Sequence, residues 1–255
     1  MKKVLLCLAV QLLLGCSCIA AAPAAAPEVA SYPLILEYHH ISPVARQELD
    51  ISLENFQKEL DYLQAEGYRS LSLAKFISYL DQHKPFPPKT MLITFDDGYQ
   101  SIYTYAMPEL RKRYMHATFF LVTDSLGKKD KLYPRVTGEQ VQKMGHDYLV
   151  DVASHTVSHA WLSKLSAPQL QDELIRSKAA VTKLTGKPCL ALSYPYGDFN
   201  AQVIAATKAA GYQVAFAGYD DNIAQNLKRY TLPRIFMGRY METNNFKEFK
   251  HTFNL

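Results

Sequence analysis

Cysteine is scarce in this chain, four in 255 residues, and its placement excludes a disulfide-stapled fold. Cys7 falls in an N-terminal segment removed on export, and Cys18 in an extended stretch. Cys189 flanks an expected strand and reads as a buried thiol. Charge of one sign is equally lacking. The net charge is only +4, part of it from Lys2 and Lys3, and no basic stripe with interleaved aromatics is present. Nucleic acid is therefore excluded as the natural partner. Internal repeats and interior linkers are absent. The apolar run over residues 4–14 is too short to span a bilayer. What remains is a chain with 48% hydrophobic and 20% charged residues, enough to bury one full core.

The first 19 residues read as a signal peptide: Lys2-Lys3 form the charged start and residues 4–14 the apolar core. Leu13-Leu14-Gly15-Cys16 resembles a bacterial lipobox, which implies a lipid anchor on Cys16; ordinary cleavage within residues 20–26 is the rival. Both routes export the protein, as a periplasmic or outer-membrane lipoprotein or a secreted one. Residues 20–33, rich in Ala and Pro, form a tether, and residues 34–255 a single domain.

Within that domain strand-like and helix-like segments alternate. Strands are expected over 33–38, 91–95, 117–122, 149–153, 190–193, 212–217 and 232–236. Helices are expected over 52–66, 72–82, 101–114 (with Pro108 as a kink), 166–184 and 201–210. Such βα alternation argues for an α/β fold on a parallel sheet, closed as a barrel or open and doubly wound, with chemistry at the C-terminal strand ends.

Two aspartates stand at one such end, in Thr94-Phe95-Asp96-Asp97-Gly98. Adjacent strand residues face opposite sides, but a turn at Gly98 lets both carboxylates reach one cleft. Two anions so placed call for a cation. Some sixty residues on, His155 and His159 are spaced i, i+4, one turn apart if their segment is helical. One carboxylate and two imidazoles make a three-ligand metal site with room for water, and the other carboxylate is free to act as a base. The pattern is that of a metal-assisted hydrolase.

These two motifs, with Tyr194-Pro195-Tyr196-Gly197 in the same order and spacing, resemble the first three motifs of the polysaccharide deacetylases (carbohydrate esterase family 4, the NodB-homology domain). The resemblance covers about residues 34–240. It implies a distorted, incomplete (β/α) barrel and removal of acetyl groups from a sugar polymer. It also implies a divalent ion, usually Zn2+ with Co2+, Ni2+ or Fe2+ as alternatives, held by Asp97, His155 and His159. Asp96 becomes the general base and the Tyr196 backbone N–H an oxyanion donor. Tyr194, Pro195, Gly197, Trp161 and Arg234 are expected along the substrate groove, where Trp161 either lines the cleft or backs the metal.

The chain departs from the pattern twice. Where the third motif usually carries an arginine that orients the base, this chain has Ser193, and Arg234 is a candidate replacement. The usual late Leu-x-His motif is missing, the only later histidine being His251. Leu34-Ile35-Leu36-Glu37-Tyr38-His39-His40 offers a strand ending in histidine instead, as in the poly-β-1,6-N-acetylglucosamine deacetylases of biofilm systems. By that likeness His39 is the general acid and His40 points elsewhere. The substrate is then poly-N-acetylglucosamine, with a polysaccharide secretion machinery as a partner. Peptidoglycan, chitin-oligomer and acetyl-xylan deacetylation stay open, as does a non-catalytic carbohydrate-binding lipoprotein. A non-haem iron oxygenase is disfavoured by the Asp-Asp-Gly context. His116 and His146 are expected at the surface.

Overall fold

The computed structural model describes residues 33–129, 133–219 and 228–238. The signal segment, Cys16, Cys18, the tether up to residue 32, the Asp220-Asp221-Asn222 loop and His251 lie outside the described residues.

The elements run β1 (Leu34–Tyr38), β2 (His40–Ser42), β3 (Asp50–Ser52), α1 (Leu53–Ala65), β4 (Arg69–Ser70), α2 (Leu73–Asp81) and β5 (Thr90–Phe95). There follow a π-helical turn (Ile102–Ala106), α3 (Met107–Lys112), β6 (Ala117–Leu121), α4 (Gly138–His146), β7 (Val150–Ser154) and α5 (Ala167–Thr185). The chain continues with β8 (Ala191–Ser193), α6 (Ala201–Ala209), β9 (Val214–Tyr219) and β10 (Leu232–Phe236). Local chemistry sets many of these limits. Ser52 and Ser72 accept the Asn55 and Lys75 amides and so cap α1 and α2. Thr137 and Gln140 form a capping box on α4. Gly186, at φ 68°, ends α5 in the left-handed conformation that glycine adopts without strain. Pro108 lies in the first turn of α3, directly after the π-helical turn, so it opens a helix where a kink within one was expected. Helix α4 was not expected, and β2 and β3 form a separate parallel pair.

The main sheet is parallel throughout, in the order β1-β10-β9-β8-β7-β6-β5, and β1 also pairs with β5 along its whole length, which closes a barrel. Strand β4 is tacked onto the start of β5. The closed form answers the choice left open between barrel and doubly wound sheet, and among the described residues seven strands make the ring, one short of an eight-stranded (β/α) barrel.

Period-2 alternation sorts the strand side chains. Ile35, Leu92, Phe120, Ala153, Ala191, Phe216 and Leu232 cluster in the barrel interior, with Phe76 and Ile77 of α2 packed against them. Leu36, Tyr38, Ile93, Phe95 and Phe119 face outward onto α1, α3 and α4. Leu192 and Ala215 face Leu170, Leu174, Val181 and Val203 of α5 and α6. One step beyond the apolar interior layer, towards the C-terminal strand ends, the same alternation places Glu37, Asp96 and Arg234. All three are buried.

Candidate active site at the barrel mouth

Asp96 follows the last residue of β5, and its amide donates to the Tyr38 carbonyl of β1 at 2.9 Å. Asp97 has φ 69° and Gly98 φ 68°, two consecutive left-handed residues. Aspartate tolerates this region better than most residues. The turn sends the Asp97 carboxylate back beside that of Asp96 and defeats strand alternation, as the sequence expectation required. Glycine suits the next position, whose φ of 68° strains any residue with a Cβ, and a Cβ there would also crowd Leu121 Cδ2 at 2.9 Å.

The histidines do not lie on a helix. His155 follows the end of β7, and residues 155–161 form a loop in which Thr156 and His159 have φ 69° and 61°. Two left-handed residues in five break any helix; the i, i+4 spacing closes here through a compact loop. Glu173 of α5 holds that loop, accepting the Val157 and Ser158 amides at 2.8 and 3.0 Å and the Ser158 hydroxyl at 2.5 Å.

Asp97 Oδ1 stands 3.6 Å from His155 Nε2 and 3.3 Å from His159 Nε2. Donors that share a tetrahedral ion at about 2.1 Å stand about 3.4 Å apart, so the spacing fits one zinc-sized ion. His155 Nδ1 lies 2.9 Å from the Ser193 carbonyl, a bond that puts the ring proton on Nδ1 and leaves the Nε2 lone pair facing Asp97. Burial and then the neighbouring His155 push His159 down to about 4, so it is neutral and ready to ligate at pH 7. Burial would raise Asp97, but His39, His155, His159 and Arg135 outweigh it and lower its pKa.

Asp96 stands outside this triad. Arg234 of β10 grips it with two donors, Nη1 to Oδ1 at 2.8 Å and Nη2 to Oδ2 at 2.6 Å, and the Ser193 hydroxyl donates to Oδ2 at 2.9 Å. Asp96 is 2% and Arg234 1% exposed. Burial alone would raise the carboxyl; Arg234, then His155, hold it well below the usual carboxylate range. A carboxylate offers about four lone-pair sites. The described residues fill three, leaving one on Oδ1. Arg234 thus lies beneath Asp96 and not along the substrate groove: its side chain points inward between β1 and β9, with Nε donating to the Ala217 carbonyl at 2.9 Å.

Tyr194 and Pro195 are also buried rather than groove-lining. Tyr194 packs into the α5–α6 core, since its strand-end position turns it onto the outer face. Tyr196 and Gly197 follow in a tight turn at φ 59° and 65°, and a Cβ on Gly197 would crowd the Gly218 amide at 3.1 Å. The turn lifts the Tyr196 ring out. It is 56% exposed, 4.5 Å from the His159 ring, and stacks on Trp161 at 4.2 Å with the planes 5° apart. Trp161 is 44% exposed and its ring also lies under Lys164 Nζ at 4.5 Å.

His39, just past β1, has Nε2 3.7 Å from Glu37 Oε1 and its ring edge-on to Phe236; the donor atoms of Glu37, His39 and Asp96 fall within 4.8 Å of one another. His40 turns away, pairing with buried Asp50 at 3.0 Å and stacking on Tyr133. His116 is half-buried beside Tyr148 rather than at the surface, while His146 is exposed. Four residues of the site were not expected: Glu37, Arg135, Glu173 and the hydroxyl of Ser193. The i, i+2 spacing of Glu37 and His39 was the available signal for the first. Arg135, whose Nη1 donates to the Asp97 carbonyl at 2.7 Å, carries none.

A parallel barrel whose mouth holds one Asp-His-His donor set beside a second, arginine-held carboxylate defines a class of hydrolase. The polysaccharide deacetylase family model matches residues 83–215, more than half of the chain. A Bacillus subtilis protein named as a polysaccharide deacetylase is 31% identical over 212 residues, 83% of this chain and 74% of that one. A poly-beta-1,6-N-acetyl-D-glucosamine N-deacetylase of Staphylococcus epidermidis is 30% identical over 193 residues, 72% of this chain and 66% of that one. Among solved structures, IcaB from Ammonifex degensii superposes with a TM-score of 0.67 at 27% identity, covering 81% of this chain and 89% of that one. The chain belongs to the polysaccharide deacetylase family, whose members hydrolyse acetyl groups from acetylated polysaccharides.

Proposed function

We propose that this protein is an exported, metal-dependent N-deacetylase of poly-N-acetylglucosamine, anchored through Cys16 if the lipobox is used. The observation that carries the reading is the division of labour between adjacent carboxylates: Asp97 faces two imidazoles at ion-sharing distance, while Asp96 is held out of that set by Arg234. The likeness to a named poly-β-1,6-N-acetylglucosamine deacetylase supports the choice of polymer.

Asp97, His155 and His159 would hold the ion, and one oxygen and two nitrogens suit Zn2+ by their hard–soft balance. When bound it supplies Lewis acidity, lowering the pKa of water towards about 7 and polarising the acetyl carbonyl. Asp96, ionised and with one lone pair open, takes the proton from the attacking water. The Tyr196 backbone N–H donates to the developing oxyanion, a contact typically worth about 3 kcal/mol. His39 delivers a proton to the departing amine, a task suited to a group whose ordinary pKa is about 6.5. Trp161 and Tyr196 offer stacked aromatic surface to a sugar ring.

The test is acetate release from poly-β-1,6-N-acetylglucosamine, chitin oligomers, peptidoglycan and acetylxylan, with and without a chelator. Release from the first that the chelator abolishes and zinc restores is the expected result. Chelator-insensitive release, or sugar binding with no acetate from any polymer, overturns the reading. Release confined to another polymer overturns the substrate assignment alone.

A further inference from the structure

Strand β1 lies between β10 and β5, and Glu37 sits opposite Phe236 on one side and Thr94 on the other. That register puts its side chain laterally between Arg234 of β10 and Asp96 at the end of β5. Its Oε2 is 3.3 Å from Arg234 Nη2 and its Oε1 3.7 Å from His39 Nε2. Glu37 is 7% exposed, so this carboxylate is enclosed by the residues assigned to proton transfer. A buried carboxylate on a barrel strand is costly unless paired, and Arg234 already meets Asp96 with two donors. Glu37 shares Arg234 Nη2 with Asp96 and has the His39 imidazole as its other close partner.

We propose that Glu37 is a positioning residue for His39: anchored by Arg234, it holds the imidazole at the cleft, linking the acid and base sides of the site through one carboxylate. This rests on the reading of His39 as the proton donor to the leaving amine. The same reasoning speaks against a second metal ion among Glu37, His39 and Asp96, since the Arg234 guanidinium already occupies the cation's place.

The mature, zinc-loaded protein is assayed on an N-acetylglucosamine oligomer and on an aryl acetate, whose phenolate departs without a proton. In Glu37→Gln, kcat on the oligomer falls about 10- to 100-fold with KM within about twofold, as for other supporting contacts of a reacting group. The aryl acetate rate falls several-fold less. Should that variant not fold, Glu37→Asp retains charge beside Arg234 but draws it back from His39, and carries the same expectation. Equal losses on both substrates, or no loss on either, overturn the proposal. His39→Asn separates it from the underlying reading. If that variant shows the leaving-group split and Glu37→Gln does not, only the role of Glu37 fails. If His39→Asn keeps full turnover of the oligomer, the acid assignment itself fails.

Discussion

Replacing Arg234 by Met tests the electrostatic foundation of the site. The substitution fills similar volume but strips Asp96 of two donors and leaves two carboxylates, Asp96 and Glu37, buried near each other without their guanidinium. Breaking one partner out of a buried pair costs about 3–5 kcal/mol. Protonation sets an independent bound. Neutralising a carboxyl of ordinary pKa about 4 at pH 7 costs about 4 kcal/mol, at 1.36 kcal/mol per unit. The two figures agree, and for a domain of this size they correspond to a fall in Tm of about 6–20 °C. The sign with pH follows. In the variant the buried carboxyls have folded-state pKa values raised above the unfolded ones, so the native form binds the extra proton. The penalty is therefore full above the raised pKa and shrinks as pH falls towards about 4. Urea denaturation of the metal-free proteins at pH 7 and pH 5 reads both effects and keeps metal binding out of the comparison. The double variant Arg234→Met/Asp96→Asn should recover at least about 1 kcal/mol over the sum of the singles. Additivity within about 0.5 kcal/mol, or a penalty that does not shrink at pH 5, would refute the pairing.

Three further outcomes follow from the geometry. Glu173→Gln removes the charged acceptor that fixes Val157 and Ser158, and should weaken zinc binding about 10- to 100-fold by calorimetry, with Asp97, His155 and His159 untouched. Trp161→Ala removes the exposed partner of Tyr196 and should raise KM for the polymer about 2- to 10-fold, with kcat for a short aryl acetate unchanged; a stacked pair is worth about 0.5–1.5 kcal/mol. Glu109 tests electrostatics away from the cleft. Burial would raise its carboxyl, but hydrogen bonds from Lys112 and Arg113 bring it down to about 2. Its stabilisation is thus present above the unfolded value near 4.5 and lost as pH falls through about 2. Glu109→Gln should lose about 1–2 kcal/mol at pH 7, discounted because Lys112 is largely exposed, and well under half of that at pH 2.

Much of this was written in local sequence pattern. The strands expected at 91–95, 117–122 and 232–236 fall within a residue of β5, β6 and β10, because short β-branched and aromatic runs bounded by breakers have few alternatives. Helix α4 was missed although Thr137 and Gln140 carry a capping-box spacing: it is short, nine residues with Gly at its first and eighth positions, and buries only Val141, Met144 and Gly145. The histidine loop misled because i, i+4 spacing is helical by default. Nothing in Thr156 or His159 announces positive φ; the Glu173 clamp sixteen residues on from Val157 accompanies it.

The deepest omission is Glu37; Arg234 was expected as the replacement cation only through the resemblance, and not from any pattern that joins it to Asp96. Asp96 and Arg234 are 138 positions apart, on strands that are not neighbours, and no local pattern joins them. They meet only because β1, the first strand of the barrel, inserts between β10 and β5 and closes the ring. Closure therefore does two things at once. It removes the sheet edges that would otherwise stand open, and it brings the cation of Asp96 from the last described strand and the candidate acid from the first. This is why the same substitution site can be Ser193 here without loss of charge on Asp96: a short hydroxyl on β8 leaves room for a long guanidinium arriving from β10, and Arg234 Nη2 donates to Ser193 Oγ at 2.9 Å in the space so provided. An arginine restored at position 193 in an otherwise unchanged chain would put two guanidinium groups on one buried carboxylate. The site as built therefore accommodates one or the other, but not both.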